Sequence, residues 1–436
     1  MATQHIDGGL GAPVLGNTLS FLKDPVLFTK QRYDRYGPIF QMGFLGRRTV
    51  VMLGADAQKY VLAENPRNFL SEEGNANAAP FLSGSLALMD GVPHATQRKL
   101  VAPAFHSRNM PSYVARINHV IDAQMDTWGT QGTRSFYLEA RQIAFTLASS
   151  LLLGIEPGAD YEHLIALWET YAAGIVSLVR WDVPATIYGR SMAAQRKLGP
   201  WLREIIAKRR GVESTDVLGL LINARDEDGN QISEEELIAE VKLMIFAGYD
   251  TTAGTLSWVL VELLRQPELL ERVRAEVRAD DKDAPITFED LKQKPLLDAI
   301  IKETLRLHPQ TAFNMRGVKE SFEFGGHTIS PGVLVMLAPV FTHRMAEYFA
   351  EPERFDPDRF LAPRDEDAKH PYAWIGFGGG PRICLGMSIA QMEIKAMFTR
   401  LMRRFDVQLA PDQDLSSVYV PLSRPKGDVV VTYQAR

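Results

Sequence analysis

The stretch Phe377-Gly378-Gly379-Gly380-Pro381-Arg382-Ile383-Cys384-Leu385-Gly386 decides how the chain is read. It holds the single cysteine of the 436-residue sequence, so an internal disulfide framework and cysteine-rich zinc sites are excluded. The glycines let backbone approach something large, and Pro381 limits the loop's freedom. Downstream, Ile389, Met392, Ala396, Phe398 and Leu401 recur with helical spacing, so Cys384 stands at a helix N-terminus. Unpaired N–H groups and the positive dipole end favour a thiolate there, and Arg382 adds a nearby positive charge. Four readings are open on these residues. A phosphate cradle lacks the usual Gly-Lys-Ser/Thr ending, and no nearby feature marks a histidine partner for a nucleophilic cysteine. A thiolate metal ligand accounts for glycines, arginine and helix start together. A small buried cysteine needs none of them.

The surrounding sequence is that of a large globular protein, 46% hydrophobic and 23% charged. Lys and Arg number 48 against 53 Asp and Glu, a net charge of −5, which speaks against a general nucleic-acid binder. There is no basic-then-apolar leader and no run of about 18 apolar residues, so a cytoplasmic protein without a membrane span is expected. No Gly/Ser linker or repeat divides the chain, so one domain over residues 1–436 is expected. Periodicity predicts a mainly α fold with small β-sheets. Helical patterns fill about 94–104, 110–130, 136–153, 187–210, 233–265, 267–278, 295–308 and 386–404. A hairpin is expected from Ile39–Phe44 and Arg48–Leu53, with β-type segments near 317–337 and 418–433.

The longest pattern starts at a capping box, Ser233 with Glu236, and runs to Gln266 before Pro267. In its apolar middle sits Ala247-Gly248-Tyr249-Asp250-Thr251-Thr252-Ala253-Gly254. Glycine costs a helix interior about 1 kcal/mol, and Asp and Thr compete for backbone hydrogen bonds. Such a conflict marks either a functional interruption or a kinked helix whose threonines bond back to carbonyls one turn earlier.

Phe377, Gly380, Arg382, Cys384 and Gly386 match the Phe-x-x-Gly-x-Arg-x-Cys-x-Gly haem-binding signature, and on it the chain resembles the cytochrome P-450 superfamily. Glu303-Thr304-Leu305-Arg306 is similar to that superfamily's Glu-x-x-Arg motif, and Arg359 in Pro357-Asp358-Arg359-Phe360 to its Pro-x-Arg-Phe segment. Pro352-Glu353-Arg354-Phe355 is a rival match that fits less well by its position relative to Cys384. Ala247 to Thr252 resembles the oxygen-activation motif Ala-Gly-x-Asp/Glu-Thr-Thr. N-terminal segments Gly11–Asn17 and Arg35–Phe40 extend the likeness over almost the whole chain, in a style close to microsomal and cyanobacterial retinoid-type members.

The resemblance implies a haem-thiolate monooxygenase with haem b held by Cys384 as axial ligand. By the same match, Phe377, Gly378, Gly386 and Ala247 lie against the cofactor, and His94, Arg98, Arg316 and Arg382 meet its propionates. Asp250 and Thr251 are implied as the catalytic pair, Thr251 hydrogen-bonding dioxygen and Asp250 relaying protons. Glu303, Arg306 and Arg359 are implied as a structural network behind the cysteine loop. Leu243, Ala247 and Thr311–Met315 are implied to face the substrate, with Phe81–Met89 as a further candidate. Their apolar character suggests hydroxylation or epoxidation of a hydrophobic small molecule such as a terpenoid, retinoid or fatty acid. No membrane anchor or fused flavin or ferredoxin domain is read, so a separate ferredoxin with its reductase, or a flavodoxin-type donor, is expected. A basic docking patch is expected from Lys99, Arg108, Lys395, Arg403 and Arg404. A peroxide-driven enzyme on the same fold is the alternative, and a non-enzymatic haem or ligand-binding protein a further one.

Overall fold

The Ser233 hydroxyl accepts from the Glu236 N–H at 3.3 Å, and the Glu236 carboxylate accepts from the Ser233 N–H at 3.0 Å. This reciprocal cap starts a helix at Glu234–Leu264, about 46 Å long at 1.5 Å per residue. The structure is a computed structural model and describes residues 5–175, 177, 179–279 and 281–436. The first four residues of the N-terminal segment read for a leader therefore lie outside the described residues.

The helices that matter for the site are α1 (Gly91–Val101), α2 (Met110–Met125), α3 (Phe136–Leu147), α4 (Ala159–Ile175), α5 (Ile187–Arg209), α6 (Glu234–Leu264), α7 (Pro267–Val277), α8 (Pro295–Leu307) and α9 (Met387–Arg404). They match the periodic segments to within a few residues at most ends, and the mainly α fold class holds. The predicted 110–130 helix is shorter because Gly129 turns left-handed at φ 65° after a tight turn at Asp126–Trp128. Helix α4 is absent from the sequence reading, although Tyr161, Leu164, Trp168, Tyr171 and Ile175 are buried at spacings of three and four.

Helix α6 is the spine of the main core. Every residue from Thr252 to Leu263 is buried, so its second half is enclosed all round and packs on α3, α8 and α9. Around the spine, Trp168, Trp258, Phe136 and Phe145 are among the largest fully buried side chains.

The predicted hairpin is β1 (Ile39–Phe44) against β2 (Arg47–Met52), with Ile39 opposite Met52. It extends into a mixed sheet through β3 (Asn314–Val318) and β4 (Leu334–Leu337): β2 runs parallel to β4, and β4 antiparallel to β3 with Arg316 opposite Val335. A second sheet places β6 (Val430–Ala435) between β5 (Phe405–Leu409) and the strand Gln131–Ser135. The first sheet carries Arg316 to the cleft beside α1 and the cysteine loop.

Candidate functional site

The cysteine loop is shaped by backbone. Gly378 and Gly380 have φ of 75° and 62°, and the Cys384 N–H closes the loop on the Phe377 carbonyl at 2.9 Å. A Cβ on Gly380 would stand 1.9 Å from the Leu62 carbonyl oxygen, so only glycine fits that approach. Gly386 caps α9, and the N–H groups of Gly386 and Met387 point to the Cys384 thiol. Burial nevertheless holds the thiol above its ordinary range, outweighing those N–H groups and the positive charge of Arg98. Cys384 keeps exposed surface while its sulfur is crowded by protein atoms, so it faces a cleft rather than open water. Arg382, expected to serve the sulfur, does not act on it.

Arg382 instead reaches the segment before α1. It donates to Asp90 Oδ1 at 2.5 Å and to the Leu86 carbonyl at 3.4 Å. Asp90 in turn accepts from the Ser71 and Glu72 N–H groups at 2.8 and 3.1 Å. Sequence reading passed over Asp90; its only local signal is its place just before the first residue of α1.

His94, Arg98, Arg316 and Arg382 converge on the same cleft, close enough for the charges of all three arginines to act on His94. Burial is the main cause that lowers His94 to about 4, so this ring is neutral near pH 7 and not the cation that its spacing to Arg98 suggests. Its Nε2 is buried with no partner among the described residues. Burial also lowers Arg316 to about 10, and among the described residues the Arg316 guanidinium donates only to its neighbour Met315's carbonyl at 2.8 Å. Arg98 donates to the Ile383 carbonyl at 2.6 Å. Asp90 pairs with Arg382 and its charge also reaches Arg316 and His94, while Arg98 has a carbonyl for its partner among the described residues. An excess of positive charge in a half-buried cleft is costly unless an anion completes it. This fits a cofactor that brings two carboxylates to the arginines and takes its thiolate ligand from Cys384.

On α6, Thr251 donates to the Ala247 carbonyl one turn earlier, Thr255 to Thr251 at 2.8 Å and Ser257 to Ala253 at 2.8 Å. The threonine-rich middle is therefore helical and back-bonded, not broken. Thr252 points the other way and donates to Glu393 Oε2 on α9 at 3.3 Å. Asp250 lies 3.9 Å from Arg141 Nε on α3, and Arg141 also reaches Glu169 on α4 at 3.6 Å. Burial raises the Asp250 carboxyl, and Arg141 opposes that rise. Arg141 was invisible to sequence motifs.

Behind the loop, Glu303 is fully buried between two arginines. Arg306 Nε donates to it at 2.6 Å and Arg359 Nε at 3.1 Å, while the Asp356 N–H adds 2.7 Å. Arg359 also reaches Glu366 at 2.7 Å. The rival Arg354 is exposed and pairs only loosely with Glu351, so Arg359 is the network's third member.

Two expected groupings are altered by their neighbours. Phe313, partly buried, packs edge-on against Phe21 and Phe44, and the buried Met315 joins the same cluster, so core contacts engage these two residues of the 311–315 segment. The basic patch is largely neutralised: Lys395 is buried on Asp298 at 2.8 Å, and Arg404 is shared by Asp122, Asp126 and Asp283. Arg403 donates to the Val277 carbonyl, and Lys99 stands 3.5 Å from Glu227. Among the described residues Arg108 alone of the five has no polar partner.

Among the described residues no helix is long and apolar enough to cross a membrane. Over its length the chain resembles proteins of one kind. The putative cytochrome P-450 120 of Synechocystis is 32% identical over 426 residues, 97% of this chain and 95% of that protein. Mouse cytochrome P-450 26B1 is 30% identical over 98% of this chain and 86% of its own length. The solved structure of a retinoic acid-bound cyanobacterial CYP120A1 superposes with a TM-score of 0.91 at 31% identity, covering both chains fully. The cytochrome P-450 family matches residues 7–431. Membership implies haem with cysteine thiolate ligation and the use of a substrate, dioxygen and redox partners. The chain belongs to the cytochrome P-450 family, and it is an oxidoreductase of that kind.

Proposed function

We propose that the protein is a monooxygenase for a hydrophobic small molecule, with haem b on the Cys384 thiolate and electrons supplied by a separate ferredoxin or flavodoxin-type donor. The observation that carries this reading is the cluster of half-buried Arg98, Arg316 and Arg382 around the buried, partnerless His94 Nε2, with Asp90 paired to Arg382, beside the one cysteine. In this reading the three guanidiniums and His94 Nε2 hold the two propionates, and the Gly386 and Met387 N–H groups steady the sulfur. Phe377 and Gly378 line the cysteine side, and Ala247 the opposite side. Haem would supply the oxygen-activating chemistry, for which thiolate ligation is suited.

The chain's own residues supply orientation and protons. Thr251 presents its hydroxyl from the face of α6 that also carries Ala247 and Leu243, and can exchange its bond to the Ala247 carbonyl for one directed into the cleft. Asp250, raised by burial and checked by Arg141, can carry a proton from the α3–α4 side toward that hydroxyl. Leu243, partly buried on the face of α6 that carries Ala247, offers an apolar contact suited to a terpenoid, retinoid or fatty acid. The retinoic acid in the related cyanobacterial structure makes a retinoid the first compound to try.

The test is a reduced-CO difference spectrum of the haem-loaded protein. A band at about 450 nm supports thiolate ligation; its absence in folded, loaded protein overturns the reading. Titration with retinoic acid and a fatty acid, followed by the spin-state shift, then addresses substrate class.

A further inference from the structure

Glu240 is a carboxylate buried to 1% exposure in an otherwise apolar stretch of α6, and neither the oxygen-handling residues nor the cationic set explains it. It stands seven residues before Ala247, two helical turns or about 10 Å along the same face. Its Oε1 accepts from the Leu86 N–H at 2.7 Å and from the Gln97 amide of α1 at 3.4 Å. Leu86 is buried, and its other polar group, the carbonyl, accepts from Arg382. The Leu86 peptide therefore joins the central helix to the cysteine loop through two hydrogen bonds. The same segment holds Arg382 again through Met89 and Asp90, and is tied down by Ser71 on the Ala87 carbonyl at 2.8 Å.

A buried carboxylate is an expensive way to satisfy one peptide N–H. Burial pushes Glu240 up to about 7, with the Leu86 N–H and Gln97 amide pulling it down and Glu236 of the same helix opposing its charge. What the carboxylate provides is reach. One oxygen serves α6, the 83–90 segment and α1, the helix that carries His94 and Arg98. Against the segment, Gly84 passes close to Ala239, with room for a Cβ at 3.5 Å, so no tight packing there does the same work.

We propose that Glu240 is a positioning residue of the cleft: it pins segment 83–90 to α6, so that this segment's carbonyls and Asp90 hold Arg382 in place. The purpose of the pin, retention of the cofactor, rests on the haem reading above; the pin itself does not.

The experiment compares Glu240→Ala, Glu240→Asp and Glu240→Gln in the haem-loaded full chain, by hydrogen exchange and by the rate of haem transfer to apomyoglobin. Loss of the hydrogen bond to the Leu86 N–H predicts about tenfold faster exchange in peptides covering 83–90, and about tenfold faster haem release, for the Ala and Asp variants. Gln keeps an acceptor at full reach and should stay within about twofold of the parent. Unchanged exchange at 83–90 in both Ala and Asp variants, or a Gln variant as fast as them, overturns the proposal. So does faster exchange spread over the whole chain. If Glu240→Ala fails to fold, the Asp and Gln pair still decides. Failure of the haem reading is separately visible, since the parent would then take up no haem, and the exchange comparison is then made on the full chain without it.

Discussion

The Thr252 hydroxyl donates to Glu393 Oε2 at 3.3 Å across the contact between α6 and α9. Burial raises Glu393 to about 8, and Thr252 is the one side chain that lowers it. The native carboxyl therefore keeps its proton through a range where an unfolded chain, near its ordinary 4.5, has released it. The stability this contributes is fully present below about 4.5 and is lost as pH rises through about 8.

Glu393→Gln removes that titration while keeping the shape. The parent should lose stability relative to the variant as pH rises from 5 to 8, by up to about 1.4 kcal/mol per unit. Urea midpoints at four pH values check this. A constant difference between the two proteins would mean that Glu393 is already ionised when folded.

Glu303 faces Arg306 and Arg359 with no exposure on any of the three. Replacing it by Gln leaves the buried Arg306 without a countercharge and Arg359 with Glu366 alone, a loss of about 3–5 kcal/mol. Arg306 retains the His343, Pro352 and Arg354 carbonyls, so the meander should loosen rather than unfold outright. Equilibrium urea unfolding of Glu303→Gln measures the cost. A change below about 1 kcal/mol, the scale of a surface pair, would show the network to be dispensable.

Gly380→Ala tests the cysteine loop by backbone alone. The new Cβ meets the Leu62 carbonyl at 1.9 Å in a residue already at φ 62°, so either the loop or the turn at Tyr60–Glu64 must move. Left-handed strain adds about 1–2 kcal/mol. The expected result is a lower melting temperature together with a reduced haem-to-protein ratio after reconstitution. Normal loading at unchanged melting temperature would show that the loop tolerates displacement.

These relationships were legible in the sequence to different degrees. Ser233–Glu236, the hairpin at Ile39–Met52 and the Glu303–Arg306 pair are written in residues a few positions apart, where capping, alternation and helical spacing are local rules. The cysteine loop was legible because its shape depends on glycines and a proline within ten residues. Asp90, Arg141 and Glu240 were not, since their partners Arg382, Asp250 and Leu86 lie more than a hundred residues away and no periodicity relates them. The basic patch misled for the same reason. Lys395 and Arg404 look free along the chain, but aspartates from α2, α8 and the 281–283 turn arrive to neutralise them. Phe313 misled because an aromatic beside a cleft motif can equally fill a core, and Phe21 and Phe44 claim it.

Arg141 offers the sharpest test of the proton path. It is the largest influence lowering the Asp250 carboxyl against burial, and it also holds Glu169, so it ties α3, α4 and α6 together around that acid. Arg141→Leu removes the stronger of two cations and leaves burial and Glu169, which raise the Asp250 pKa, opposed by the weaker pull of Arg424. If product formation needs ionised Asp250 to pass a proton on, the acidic limb of its pH profile must move to higher pH in this variant. Arg141→Lys should restore part of the shift. Asp250→Asn should abolish the limb and slow turnover by about a hundredfold, while leaving the substrate spin-state titration unchanged. Arg141→Leu with its limb in place, or Asp250→Asn with full turnover, would remove Asp250 from the path and leave protons to arrive through Thr251 from elsewhere.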